Sequence, residues 1–432
     1  MTGRAIAARL WQLAWPIAIT GQLAALEEAI IIYWLGHLLG AHALAVEATL
    51  RPVIECIVWA LLAIATGVSV HVAQSVGARD GRGLELITSG MLLVAFAWVL
   101  LIAIVLPTAG PLSDLLASPE VPASDLRAFG LPAVLLALPG LGMLQVLLFA
   151  ASGAGWTRLS LARMVADLCV TAVLVPLFIS QLGFGLAGAP LGEGISQLVM
   201  IGLVWRALYR HRERLHLGEP RGVSRVHWGA ILGVGLPPQV ARITMYAAYA
   251  YLIQRVGDDG RAAVAGFGIA LTMNFFAINM SGAVGRATGI ELGQRVGAGD
   301  RAAARHTLRV GLALAAALGC ALLVVVHVVA RGMVGLFVDD AAILDRGVAA
   351  VRILACALPF LAIAQIYIFA FTAIKAAKRA GLLWIAADVA GVAFAVAWPG
   401  ETQLAGAAWS IVLANALRAG LFAALGRSVF RA

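Results

Sequence analysis

The sequence predicts an all-α integral membrane protein of about twelve transmembrane helices, arranged as two pseudo-symmetric six-helix lobes. Three observations lead there: the composition, the length of the apolar blocks, and an internal repeat. Of 432 residues, 62% are hydrophobic and 12% charged, and the mean hydropathy is +0.95. Soluble domains are about half apolar and about a quarter charged. A water-soluble fold of this size could not bury so much apolar surface, whereas a bilayer solvates it.

The apolar residues fall in blocks that match a bilayer, which roughly 20 apolar residues cross. These lie at about 10–36, 43–75, 86–107, 127–151, 159–181, 186–209, 227–255, 262–294, 306–330, 344–374, 381–399 and 404–426. Two of them, 43–75 and 262–294, exceed one perpendicular span. They call for tilt or a helix that continues along the membrane surface. The formal net charge is +9, but it is spread as orientation charge, not as a nucleic-acid footprint. Most Lys and Arg fall in the even-numbered connections and the termini, including Arg79, Arg82, Arg158, Arg206, Arg210, Arg221, Arg225, Arg301, Lys375 and Arg431. By the positive-inside rule both termini are cytoplasmic. Cys56, Cys169, Cys320 and Cys356 lie inside apolar blocks and read as small core residues with free thiols. The first block reads as a retained span and not as a signal peptide.

The repeat has an offset of about 220 residues. Gln74-Ser-Val-Gly-Ala-Arg-Asp80 recurs as Gln294-Arg-Val-Gly-Ala-Gly-Asp300. Leu138-Pro139, Gln145 and Phe149 recur as Leu358-Pro359, Gln365 and Phe369. Leu13-Ala-Trp-Pro16 parallels Val234-Gly-Leu-Pro237, and Leu186-Ala-Gly-Ala189 parallels Leu404-Ala-Gly-Ala407. Residues 1–209 and 227–432 are therefore two six-span lobes, with 210–226 a basic, solvated cytoplasmic linker. An even span number per half gives parallel repeats about an axis along the membrane normal, a plan that commonly encloses a cleft and alternates access by rocking. Pro139 and Pro359 are expected to kink spans 4 and 10.

These residues carry a family resemblance. Pro16 and Pro237 enter spans 1 and 7. Leu39-Gly-Ala-His-Ala-Leu-Ala45 follows span 1, Val72–Asp80 follows span 2, Gly153-Ala-Gly-Trp-Thr-Arg158 follows span 4 and Gly289–Asp300 follows span 8. The whole chain resembles the multidrug and toxic compound extrusion (MATE) family of the oligosaccharidyl-lipid/polysaccharide flippase superfamily. That resemblance implies two six-helix lobes in a V, and export of amphipathic, often cationic, small molecules against inward flow of H⁺ or Na⁺. It also marks a departure. The positions of the family's coupling acids fall on Ile32, Val175 and, near span 7, Met245.

An ionisable group at bilayer depth costs at least about 2.5–3.5 kcal/mol and needs a reason. The acids within spans are Glu27, Glu28, Glu47, Glu55, Asp167, Glu193, Glu291 and Asp388. Glu47, Arg51 and Glu55 recur every fourth residue and share a helix face. Glu28 lies at a depth where it can meet them. Two carboxylates on one arginine leave one uncompensated, which suits a proton carrier. The cation-coupling candidates are Glu28, Glu55, Arg51 and Asp167, with a static polar lock as the alternative; for Glu47 the lock or plain solvation is the reading. Asp167 and Asp388 match across the halves, with Arg163 and Arg379 nearby, and read as paired structural charges. The substrate-cavity candidates are Gln22, Gln145, Gln365, Tyr246, Tyr367, Asn274 and Arg242, with interhelical hydrogen bonding as the alternative. Arg242 and Arg286, if they line the path, disfavour a cation.

The sequence reading is a monomeric secondary-active exporter in a bacterial inner membrane, with a small-molecule substrate, lipid contacts and no nucleic acid. It uses a transmembrane H⁺ gradient, in preference to Na⁺, and no cofactor, metal or catalytic residue. A lipid-linked substrate flippase is the alternative. A polytopic enzyme is a third reading, without an HExxH, GxSxG or Asp-rich metal motif to support it, and the absence of a P-loop argues against ATP-driven transport by this chain alone.

Overall fold

The computed structural model describes residues 2–119, 121–219, 227–400 and 402–429. Arg221, Arg225, Arg431 and the linker residues 220–226 lie outside them. Among the described residues helices joined by turns and short irregular connections make up the fold, with one isolated bridge between Ser118 and Val121. The helices are α1 (Gly3–Leu39), α2 (Ala41–Ala78), α3 (Gly83–Leu116), α4 (Ala123–Pro132), α5 (Leu138–Gly153), α6 (Thr157–Pro176) and α7 (Gly188–Arg210). The second set is α8 (Trp228–Val256), α9 (Arg261–Gly297), α10 (Arg301–Gly335), α11 (Ala341–Ala355), α12 (Leu358–Ala373), α13 (Ala377–Val396) and α14 (Gln403–Val429).

Ten stretches among them are long and apolar enough to cross a membrane, and α11 with α12 makes an eleventh, bent by 50°. The remaining span is α8, 29 residues long. Pro237, Pro238, Gln239 and Arg242 dilute its apolar character. The two prolines expected to kink act differently. Before Pro359 the chain breaks into α11 and α12. Before Pro139 it forms a single π-type turn, Ala133–Ala137, and Ala123–Gly153 stays one span. A proline lacks the amide donor that the normal helical ladder needs, and either a break or a π turn accommodates the loss.

The repeat is visible in the packing. In the first half α2 packs on α3 and α5, α3 on α5, and α6 on α7; in the second α9 packs on α10 and α12, α10 on α12, and α13 on α14. The repeated Gln-x-Val-Gly-Ala-x-Asp segment is a helix stop. Arg79 and Gly299 are matching residues, and both adopt left-handed backbone, with φ of 54° and 75°. The aspartate that follows closes the turn: Asp300 caps α10 by accepting from the Ala303 amide at 2.9 Å, and Asp80 accepts from the Arg82 amide at 3.0 Å.

The compact units depart from the sequence halves. One unit comprises Met1–Ala18 with Pro237–Ala432, and the other Ile19–Leu236. Each first helix thus begins in the core of the unit that the other half builds, and the boundary falls beside Pro16 and Pro237. Leu13 and Ala14 join the core around Phe267, Leu358 and Phe371. Ile231 joins the core around Val68, Ile87 and Leu147. Nor is the linker simply solvated. Leu217 is fully buried and its carbonyl accepts from the Leu84 amide at 3.0 Å, docking the chain against the start of α3. The expected core placement of the cysteines is also corrected: Cys56, Cys169 and Cys320 are exposed, and Cys356 is half-buried. A small apolar thiol tolerates a lipid-facing position as well as a core one.

Two glycines set how closely α8 approaches α2. A Cβ on Gly235 would sit 1.8 Å from the Ala63 carbonyl oxygen, and one on Gly67 2.1 Å from that of Ile231. Gly235→Val should therefore force the helices apart and cost about 1–3 kcal/mol. The check is the thermal unfolding midpoint of the detergent-solubilised protein, which Gly229→Ala, a position with open space around it, should leave in place.

Candidate ion-coupling site

The unit Ile19–Leu236 gathers six membrane-depth carboxyls around two arginines. The first group forms on α1 and α2. Arg51 meets Glu28 from α1, Glu47 one turn earlier at 2.8 Å, and Glu55 one turn later at 3.9 Å. Helical spacing places Glu47, Arg51 and Glu55 on one face, and α1 brings Glu28 to that face. Glu28 and Glu55 keep 48% and 43% of their side-chain surface open, so these acids stay accessible.

The second group forms where α1 meets α6 and α7. Consecutive residues on a helix point about 100° apart, so Glu28 faces α2 while Glu27 turns to α6. Arg163 pairs with Asp167 one turn on, and the Ser196 hydroxyl of α7 donates to the same carboxylate. Asp167 is 1% exposed and Arg163 8%. Glu27 lies within hydrogen-bonding reach of Asp167, and the Thr171 hydroxyl donates to it at 3.4 Å. Glu193 accepts from the Gln197 amide at 2.9 Å and interacts electrostatically with Asp167, Arg163 and Glu28. Glu193 therefore links the two groups.

Sequence reasoning singled out Glu28, Arg51, Glu55 and Asp167, and the structure places all four here. Glu27 and Glu193 entered only as acids within spans. Their signals were the adjacency of Glu27 to Glu28 and the one-turn spacing of Glu193 and Gln197. Ile32, Val175 and Met245 carry no acid, and Val175 and Met245 are buried apolar residues.

The substrate-cavity candidates divide. Gln22, Gln145 and Arg242 are half-buried, and Tyr246 is 38% exposed. Gln365, Asn274 and Tyr367 lie in the core instead. Gln365 sits where α12 and α9 come closest, its carbonyl oxygen 2.7 Å from a Cβ built on Gly285. Asn274 donates to the Tyr249 hydroxyl at 3.4 Å, and Tyr367 stacks on Phe371 at 5.9 Å. Asp388 pairs not with Arg379 but with Arg418 of α14. Arg418 also donates to Asn415 at 2.9 Å and stands 4.2 Å from the Trp384 ring.

A duplicated bundle of membrane-crossing helices, with buried charge at bilayer depth, defines the class of polytopic membrane transporters. The MatE family model matches residues 16–177 and again 238–398, so the chain belongs to the MatE family of multidrug and toxic compound extrusion transporters. It is 29% identical over 373 residues to a probable multidrug resistance protein NorM of Deinococcus radiodurans, covering 83% of this chain and 78% of that one. The fold matches a MOP superfamily transporter from Pyrococcus furiosus, described as having a binding pocket of reverse polarity, with TM-score 0.86 and 22% identity over 99% and 96% of the two chains. It also matches the Vibrio cholerae MATE transporter VcmN in the bent form, with TM-score 0.85 and 17% identity over 99% and 98%.

Proposed function

We propose that the protein is an H⁺-coupled secondary exporter of small organic molecules that alternates access across a bacterial inner membrane. The observation that carries this is the junction of Glu27, Asp167, Arg163 and Glu193. Three carboxyls crowd around the single Arg163 guanidinium, so its one positive charge balances only one of them. Two guanidiniums balance two of the six carboxyls, so the network holds an excess of acid that an H⁺-coupled carrier requires. Glu28 and Glu55 are the exposed members of the network. A proton needs one acceptor atom, whereas a dehydrated Na⁺ needs several converging oxygens.

The chain is a carrier and not an enzyme in this reading, and it works as a monomer without a cofactor, with both termini cytoplasmic. The charge bias of the connections supports that orientation. In everted vesicles loaded with acid inside, adding a transported dye should release lumenal protons, read as recovery of a pH-sensitive fluorophore. Proton-independent flux, or flux driven by a Na⁺ gradient alone, would overturn the coupling.

A further inference from the structure

The start of α1 meets the start of α10 inside the unit Met1–Ala18 with Pro237–Ala432. A Cβ built on Gly3 would lie 3.8 Å from the His306 ring and 4.0 Å from the Val310 side chain. The contact lies near the start of both helices, so the two run parallel away from this membrane face. Consecutive residues on a helix point about 100° apart. On parallel helices, the residue after the contact on one and the residue before it on the other therefore turn to the same side. Those residues are Arg4 and Arg305. Arg309 follows Arg305 by one turn, and Trp11 follows Arg4 by two. Burial agrees with this placement: Arg4 and Arg309 are exposed, Arg305 is half-buried and Trp11 is 66% exposed. Arg9 points the other way, to Glu291 of α9 at 3.6 Å.

The seam has the layered chemistry of a phospholipid. Its guanidiniums come from two helices and lie within about one turn of the same height. Trp11 sits roughly 10 Å further along α1 than Arg4, toward the bilayer interior. Between them, exposed Ala8 follows Arg4 by one turn, and exposed Ala313 follows Arg309 by one turn. These small side chains leave an apolar floor below the charges. Tryptophan favours the level where head groups give way to acyl chains. Basic sites between helices at a membrane face hold anionic head groups. The acids closest in sequence are engaged elsewhere: Glu291 accepts from Arg295 at 2.8 Å, and Asp300 accepts from the Ala303 amide at 2.9 Å.

We infer that Arg4, Arg305 and Arg309, with Trp11 beneath them, bind the head group of an anionic phospholipid. Guanidinium forks match phosphate oxygens, and the indole lies where the acyl chains begin. A zwitterionic head group carries its own cation and would bring it against these arginines. The bound lipid spans α1 and α10, and so staples the first turns of α1 to the unit whose core they enter.

The test is native mass spectrometry of the purified full-length protein in a neutral maltoside detergent, titrated with phosphatidylglycerol or phosphatidylcholine. Wild type should bind its first phosphatidylglycerol about tenfold more tightly than phosphatidylcholine. Arg4→Gln should weaken phosphatidylglycerol by about fivefold, and Arg305→Gln with Arg309→Gln should remove most of the preference. The exposed Lys378 and Arg379, which open α13 at the same membrane face, supply the control. Lys378→Gln with Arg379→Gln removes the same charge and should leave the first binding step in place. Equal affinity of wild type for the two lipids would overturn the proposal, and that comparison needs no variant to fold. An equal loss in both double variants would overturn it too, because the attraction would then be diffuse surface charge. So would displacement of the bound lipid by inorganic phosphate, which would make the seam a site for a free anion.

Discussion

Asp167→Asn should reduce proton-driven efflux to below about a tenth of wild type while the protein still folds. Asn keeps the volume and one oxygen acceptor for the Ser196 hydroxyl. It gives up the negative charge that pairs with Arg163 beside Glu27. In the proposed cycle the variant lacks the carboxylate that joins Glu27, Arg163 and Glu193, so the coupling network is broken at its centre. Glu27→Gln should behave alike, because it removes the other half of the same hydrogen-bonded pair. The double variant should be no worse than either single one, since the two carboxyls act as a unit. The measurement is initial dye efflux under an imposed pH gradient, with binding of the same dye measured without one. An Asp167→Asn variant that exports at the wild-type rate would move the coupling role to the Glu28, Arg51 and Glu55 group. Glu55→Gln would then be the damaging change.

What the sequence made legible follows from how local each contact is. Glu47, Arg51 and Glu55 lie on one helix, so spacing alone puts them on one face. The repeat was legible because its residues close turns. Asp80 and Asp300 each accept from a backbone amide, and Arg79 and Gly299 share the left-handed conformation that ends a helix. The meeting of Glu27 with Asp167 and Glu193 was not legible. It depends on which helices flank α1, and apolar residues cover these helices on every side. The same lack of a one-sided apolar face hid the direction of Tyr367 and Gln365, which point into the core. The division at Ala18 and Leu236 left only the signal of Pro16 and Pro237, which marks a place where a helix can bend without saying which core its first turns join.

Removing one partner of the Asp388–Arg418 pair should be the most destabilising single change in the unit that includes Pro237–Ala432. Arg418 is 1% exposed and Asp388 6%. Arg418→Met leaves the carboxylate in an apolar interior with no counter-charge, and Asp388→Leu strands the guanidinium in the same way. Either should cost about 3–5 kcal/mol, read as a lowered thermal unfolding midpoint in detergent. The double variant Asp388→Leu with Arg418→Met should recover most of that loss. Its reason is geometric: Asp388 Oδ2 and Arg418 Nε have no hydrogen-bond partner among the described residues, so the pair already carries an incomplete compensation for its desolvation. Trp384, 4.2 Å from the guanidinium, offers the methionine an apolar face in its place. If the pair is a structural lock between α13 and α14, the double variant also exports at the wild-type rate. If it recovers stability and still fails to export, the charges themselves serve transport, and the structural assignment of Asp388 is wrong.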